Sequence, residues 1–486
     1  MRALVWFRND LRINDNKALN DAILSGKPVI GIYIHDTHDS CPQSLSPRKL
    51  GGAASWFLDK ALRSFKDELQ TRRIPLICKR GNPEMVLAEI CEDYQISSVF
   101  WGRRYSPKDI QQDIAIKAQL NKRGITVASR SGFLLYEPWA IKNKSSGPFK
   151  VFTPFWRTCL SSVDSCVQPF DCERGGNQDG LGEIPTGSVD DLSLVPMKAT
   201  WTHTLAKNWD VSEKAAQTKL EQFCLQGLND YAQARNFPHV PRGTSRLSPY
   251  LRFGLISPRQ CWWMASQQGR GLSLERFLAE LGWREFSYHL LYHMPDLSWK
   301  NVNPHFDHFP WKTSDPQLAC WQQGRTGIPF IDAGMRQLWQ TGWMHNRVRM
   351  VVASFLTKHM RIHWRCGEEW FWDTLVDADP ASNASGWQWV AGSGADAAPY
   401  FRVFNPVLQS QKFDPQGDYI REFVPELASL SATEIHTPHQ ISPEMLRKKG
   451  VTLGDNYPLP VIDLHQGRLQ ALSSYAHMKS TQLSQE

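Results

Sequence analysis

No apolar run in this chain of 486 residues approaches the ~20 that a membrane-spanning helix needs, which argues against a membrane-embedded reading. The opening MRALVWFRND passes straight from a strand-like run into charge. It lacks the ~7–15-residue apolar core and small-residue cleavage site of an export signal, so a cytoplasmic protein is expected. The 10 cysteines (Cys41, Cys78, Cys91, Cys159, Cys166, Cys172, Cys224, Cys261, Cys320, Cys366) include no C-x-x-C pair and no histidine spacing suited to zinc. They read as reduced thiols, mostly buried, and no metal is expected. Also missing is the G-x-G-x-x-G of a dinucleotide-binding turn; RNDLR (8–12) stands in its place after the first strand, which excludes a standard NAD site. Finally, no Asp or Glu occurs from Ala333 to Cys366.

What is present starts with size. A chain this long exceeds one ordinary core and implies two or three domains, and 41% hydrophobic with 21% charged residues is a globular composition. A net charge of +7 permits an anionic partner, and 20 Trp with 23 Phe must fill a large core or serve a site. In the first 130 residues, ALVWF (3–7), VIGIYI (29–34), PLIC (75–78), SVFW (98–101) and ITVAS (125–129) read as buried strands. Segments 54–69, 83–94 and 107–124 carry apolar residues at helical spacing between them. This alternation predicts a doubly wound parallel sheet, an α/β domain with a ligand crevice at the strands' carboxyl ends.

Residues 161–200 are rich in Ser, Gly, Pro and Asp without a period and read as a connecting segment. Beyond them, 212–235, 273–293 and 346–364 each carry an apolar stripe, with Val348, Val351, Val352, Phe355 and Leu356 at i, i+3, i+4, i+7, i+8, so the rest of the chain is expected to be an all-α domain.

Three features bear on chemistry. Thr244, Ser245 and Ser248 precede a helix, either as an anion site or simply as helix capping. In the acid-free stretch, Arg336, Arg347, Arg349, Lys358, Arg361 and Arg365 interleave with Trp339, Trp343 and Trp364, a pattern that fits nucleic acid or a solvated helix face. The segment DADPASNASGWQW (377–389) sets two carboxylates, an amide and two indoles together. Aspartates accept hydrogen bonds or hold an Arg, and an Asn amide meets a ring nitrogen in either protonation state, which suits a redox ring.

VWFRNDLR (5–12), GTSRLSPYLRFG (243–254), WREF (283–286), TGWMHNRVRM (341–350), HWRCGE (363–368), DADPASNASGWQW and PYFRVFNP (399–406) together resemble the DNA photolyase/cryptochrome family. The closest likeness is to the bacterial cyclobutane pyrimidine dimer photolyases of class I or class III. The resemblance implies a light-driven DNA repair enzyme with FAD, active as FADH−, in the helical domain. Photoexcited FADH− would donate an electron to a flipped-out dimer, the cyclobutane bonds would split, and the electron would return. Tyr231, Thr244, Ser245, Leu247 and Ser248 would hold the phosphates and ribityl region, with Arg284 nearby. Arg349 would pair with Asp377, Asp379 would meet the ring or ribityl chain, and Asn383 would face flavin N5. Trp387, Trp364 and Trp311 match an electron-transfer triad. Trp389 and Trp283 match the pair around the dimer, and Glu280, Asn346 and Met350 further dimer contacts, the acid-free stretch forming the basic rim.

The implied domains are 1–130 for an antenna chromophore, 131–204 as linker, 205–475 for FAD and DNA, and 476–486 as a short tail. The antenna would be a folate or a deazaflavin near 51–62 and 101–113, although RRYSPK lacks the Glu of the best-known folate pattern. The expected partner is DNA containing cyclobutane dimers, with no membrane, and the expected state is monomeric. A plant-type cryptochrome would place Asp at position 383, Tyr at 389 and a long tail. A six-four photolyase would carry a His pair where this chain has His345 and Asn346.

Overall fold

The computed structural model describes residues 1–37, 49–162, 168–172, 181–196, 199–397 and 401–483. Cys41, Cys166, Pro399, Tyr400 and parts of the predicted connecting segment and tail lie outside the described residues. By contact the chain divides into two units, Met1–Asn229 with Ser245–Asp296, and Asp230–Thr244 with Leu297–Glu486.

The first unit is built on five strands, β1 (Arg2–Phe7), β2 (Val29–Asp36), β3 (Leu76–Gly81), β4 (Ile96–Gly102) and β5 (Thr126–Arg130), all parallel in the order β3-β2-β1-β4-β5. Helices α1 (Lys17–Leu24), α2 (Gly52–Thr71), α3 (Pro83–Asp93) and α4 (Pro107–Lys122) connect them. The predicted strands and the last three helices are present. α1 is additional, an eight-residue helix capped by the Asn16 side chain on Leu19 N–H.

Side chains alternate across the sheet. Leu4, Trp6, Ile30, Ile32 and Ile34 pack with Val86, Leu87 and Ile90 of α3 and Ile116 and Leu120 of α4. On the opposite face Phe7 meets Phe65 of α2 at 4.8 Å between ring centres. At the strands' carboxyl ends, where a glycine turn would cradle a dinucleotide, Arg8 and Arg104 both pair with Asp113 at 2.8 and 2.6 Å. Arg12 donates to the carbonyls of Asp15, Gly132 and Gly254.

The helical remainder comprises α5 (Phe152–Ser161), α6 (Thr202–Ala206), α7 (Glu213–Gln226), α8 (Tyr231–Ala234), α9 (Ser248–Phe253), α10 (Pro258–Gln268), α11 (Gly271–His293), α12 (Asp315–Gln322), α13 (Pro329–Thr341), α14 (Asn346–Ser354), α15 (Trp364–Thr374), α16 (Pro380–Ala391), α17 (Pro406–Phe413), α18 (Asp418–Phe423), α19 (Pro443–Lys448) and α20 (Leu464–Leu483). α5 lies inside the stretch read as linker, and α20 runs through the stretch read as tail as far as Leu483.

Two predicted helices are broken. The 212–235 stripe stops at Gly227 and resumes in the single turn of α8. The 346–364 stripe holds through Ser354, widens into a π turn over Phe355–His359 and ends where Arg361 adopts φ 58°. That π turn shifts the phase, so Lys358, expected on a basic face, is instead buried. In the second unit the core joins Trp321, Val348, Val351, Val352, Phe355, Leu356, Trp364, Phe371 and Trp387. Of the described cysteines, Cys320 and Cys366 are partly exposed and the rest buried.

Candidate flavin and substrate site

The segment DADPASNASGWQW (377–389) forms most of helix α16 with its lead-in. Asp379 is its N-cap: Oδ1 accepts from Ala381 N at 3.0 Å and Ser382 N at 2.8 Å, and Pro380 starts the helix without losing a bond. Asp377, two residues earlier, accepts Arg349 Nη2 at 2.8 Å; its side chain is 3% exposed and that of Arg349 25%. Arg349 is further tied by Nε to the Met344 carbonyl at 2.7 Å.

One turn into α16, Asn383 donates through Nδ2 to both the backbone carbonyl of Glu368 at 3.0 Å and its Oε1 at 2.9 Å. Both amide hydrogens are thereby committed, and Asn383 presents Oδ1, a pure acceptor. Gln388, between the two indoles, is fully buried. It donates to the carbonyls of Leu297 and Lys300 and accepts from Val302 N at 2.9 Å. At the helix end, Lys358 Nζ donates to the Ala391 carbonyl at 2.7 Å and lies 3.2 Å from the centre of the Phe401 ring. Burial holds its pKa well below the usual lysine value. Glu368 and Gln388 were not singled out in the sequence, and Lys358 was read there only as part of the basic stretch. Only the i, i+4 relation of Glu368 to the motif residue Trp364 hinted at a shared face.

The three tryptophans matched to a triad lie in the second unit. Trp387 is buried, 5.0 Å from Phe371 and 6.1 Å from Trp321 between ring centres. Trp364 is buried, with Nε1 donating to Asn301 Oδ1 at 2.9 Å. Trp311 is partly exposed and donates to the Phe306 carbonyl. The His363 ring stands 4.9 Å from that of Trp311 and 5.6 Å from that of Trp364, and burial pushes its pKa down to about 4. Trp389 is partly exposed in a cleft with Phe306, Phe401, Phe404 and Tyr475. Asn346 is exposed and Met350 partly so, one turn apart on α14. Tyr231 is buried under the Arg235 guanidinium, and Thr244 is half-buried.

The first unit carries the remaining candidates on α9 and α11. Ser248 opens α9, but the capping position falls on Leu247, whose side chain cannot cap, so hydroxyl capping does not explain the motif. Ser245 is half-buried and Ser248 exposed. On α11, Glu280, Trp283 and Arg284 stand at i, i+3, i+4, all half-buried on one face. Trp283 stacks on Phe152 at 3.8 Å and 9°, which leaves one indole face. Arg284 lies over Phe133 and donates Nη1 to its carbonyl at 2.9 Å. The adjoining face of α11 holds the rest of the same loop, residues 135–138. Glu285 accepts Leu135 N and Tyr136 N, and both His289 and His293 approach the Pro138 carbonyl at 3.2 Å.

Several buried donors find no acceptor among the described residues, and two of them fall on or beside candidate residues: Arg284 Nη2 in the first unit, and in the second His345 Nε2, protonated because Nδ1 accepts from Arg347 N at 3.2 Å. Burial, then Arg347 and Arg349, pushes the His345 pKa down to about 3. Such orphans call for a ligand rich in acceptors. Within the second unit, FAD would offer acceptor oxygens to His345 Nε2 and a ring N–H to the Asn383 acceptor.

Residues 3–173 match the family described as DNA photolyase, and residues 277–477 the FAD binding domain of DNA photolyase. A deoxyribodipyrimidine photo-lyase of Agrobacterium fabrum is 45% identical over 98% of both chains. A class III photolyase structure from Agrobacterium tumefaciens superposes with a TM-score of 0.93 at 44% identity, covering 99% of this chain and 98% of that one. Cryptochrome-2 of Arabidopsis thaliana is more distant, 34% identical over 99% of this chain and 80% of that protein. The chain therefore belongs to the DNA photolyase/cryptochrome family, and the resemblance to bacterial photolyases expected from the sequence holds. Its C-terminal region is a FAD-binding domain.

Proposed function

We propose that this chain is a deoxyribodipyrimidine photo-lyase, a carbon-carbon lyase that uses blue light to split cyclobutane pyrimidine dimers in DNA. The observation that carries the reading is the Asn383–Glu368 arrangement, in which a neutral amide commits its hydrogens to Glu368 and keeps only an acceptor for the ring it would face. The retained Trp389 and the full-length identity to a photo-lyase support it.

Tyr231, Thr244, Ser245, Leu247, Ser248 and Arg284 would hold the phosphate and ribityl parts of FAD, and Arg349, Asp377, Asp379 and Asn383 its ring end. When bound and reduced, FAD supplies a light-excited electron donor. Asn383 keeps an uncharged acceptor at the ring, and the Arg349–Asp377 pair keeps the neighbouring acid neutralised. Trp387, Trp364 and Trp311 would form the path by which electrons reach an oxidised ring from the surface. Trp283 and Trp389 exclude water around the flipped pyrimidines, Asn346 and Met350 orient them, and Glu280 stabilises the charge that develops on them by hydrogen bonding. Arg347, half-buried and held by Asn236 at 2.6 Å, contributes to the rim, whereas buried Lys358 does not.

On this reading the chain acts as a monomer, with antenna, linker, FAD/DNA and tail regions at 1–130, 131–204, 205–475 and 476–486. A folate or deazaflavin antenna is the finer expectation, and an absorbance band beyond that of flavin in the purified protein tests it. Function is tested by illuminating reduced protein with cyclobutane-dimer and six-four oligonucleotides in parallel. Repair of the first alone supports the proposal; repair of the second alone replaces it with six-four chemistry.

A further inference from the structure

We propose that Gly367 is a positioning residue of the electron relay. Its missing side chain is the slot that seats the indole of Trp387 against the helix opened by Trp364. The inference rests on the reading of Trp387, Trp364 and Trp311 as that relay.

Gly367 is buried in α15. A Cβ built there would stand 2.1 Å from Cη2 and 2.6 Å from Cζ3 of Trp387, and 2.7 Å from Cδ2 of Leu356, whereas real Cβ contacts essentially never fall below 3.0 Å. The indole has nowhere to retreat. It is 3% exposed, and the rings of Phe371 and Trp321 meet it edge-on at 73° and 70°. Nor does the backbone ask for glycine: position 367 lies mid-helix, outside the positive-φ set, where Ala is the better helix former. Close approach of the ring is what remains to explain it.

The placement has a consequence along α15. Trp364, Gly367, Glu368 and Phe371 stand at i, i+3, i+4, i+7 and are all buried, so they share one face. That face carries the next tryptophan of the relay, the slot for Trp387, the carboxylate that orients Asn383, and the ring that backs Trp387. When Trp387 gives one electron to the light-excited flavin, one electron from Trp364 restores it. Trp364 is restored in turn from Trp311, and Trp311 from an external thiol, which gives up an electron and its S–H proton and couples to a disulfide, so each indole returns to its starting state. Tunnelling between indoles decays exponentially with their gap, so the seat of Trp387 governs the rate of the step.

The test uses holoenzyme with oxidised flavin in four forms: unaltered, Gly367→Ala, Trp387→Phe and the double variant. Three quantities are measured: the rate of flavin reduction under blue light with a thiol, the yield of tryptophan radical after a flash, and the melting temperature. Gly367→Ala is expected to lower the reduction rate and the radical yield roughly tenfold or more, the scale of a small misplacement of reacting groups. Repair by enzyme reduced beforehand with dithionite should stay unchanged. It should also lower the melting temperature in the Trp387 background, yet leave it level or raise it beside Trp387→Phe, which removes the clashing atoms. If Gly367→Ala alone fails to fold, folding of the double variant supports the contact, and failure of both overturns it. Wild-type reduction rate and radical yield in Gly367→Ala, with Trp387→Phe slow, would overturn the inference alone. Normal reduction in Trp387→Phe would overturn the relay reading and the inference with it.

Discussion

Asn383 commits both amide hydrogens to Glu368, at 3.0 Å to its carbonyl and 2.9 Å to its carboxylate. Asn383→Asp replaces a neutral acceptor with a charge, which at ~5 Å and an effective dielectric of ~20 opposes an anionic reduced ring by about 3 kcal/mol. The midpoint potential of the bound flavin should fall. Glu368→Gln should move it less, by freeing the amide to turn. Spectroelectrochemical titration reads both.

The Arg349–Asp377 pair joins α14 to the lead-in of α16 with Asp377 nearly inaccessible. Asp377→Asn leaves a half-buried guanidinium without its counter-charge and should cost roughly 3 kcal/mol in urea unfolding. The purified variant should also carry less FAD, seen in its absorbance ratio.

Glu285 should give the protein a pH-dependent stability. Burial raises its pKa from 4.5 to about 7, against opposing contributions from Arg284 and the Tyr136 and Leu135 N–H groups. The folded state then binds the proton more tightly than the unfolded one. The stabilisation is complete below about pH 4.5 and is lost as pH rises toward about 7, with a slope of up to ~1.4 kcal/mol per pH unit. Glu285→Gln keeps an acceptor for the 135–136 N–H groups and should flatten that dependence in thermal melts.

Much of the first unit was legible in the sequence because buried parallel strands are short continuous apolar runs and α2, α3 and α4 are amphipathic over many residues. α1 was missed because eight residues give barely two turns of period. The 346–364 break was missed for another reason: the stripe through Leu356 obeys helical spacing, and a π turn leaves no compositional mark before it changes which face Lys358 occupies. In the site, charged and indole positions were legible as a motif. Their supports were not, since Gln388 holds backbone groups of a distant loop and Gly367 works by what it lacks.

Lys358 and Arg347 separate a true rim from an apparent one. Lys358→Met should leave the salt dependence of DNA binding as it was, because the amine is buried on Phe401. Arg347→Ala should reduce the slope of log affinity against log salt by ~1. Binding titrations over a salt series decide this.

The most direct test of the central claim is recovery of thymine absorbance from a cyclobutane dimer in an oligonucleotide, with reduced holoprotein under blue light and the same sample in darkness. The account predicts recovery in light only, with Glu280→Ala repairing more slowly while binding nearly as well. No recovery in light from protein carrying fully reduced FAD would contradict it.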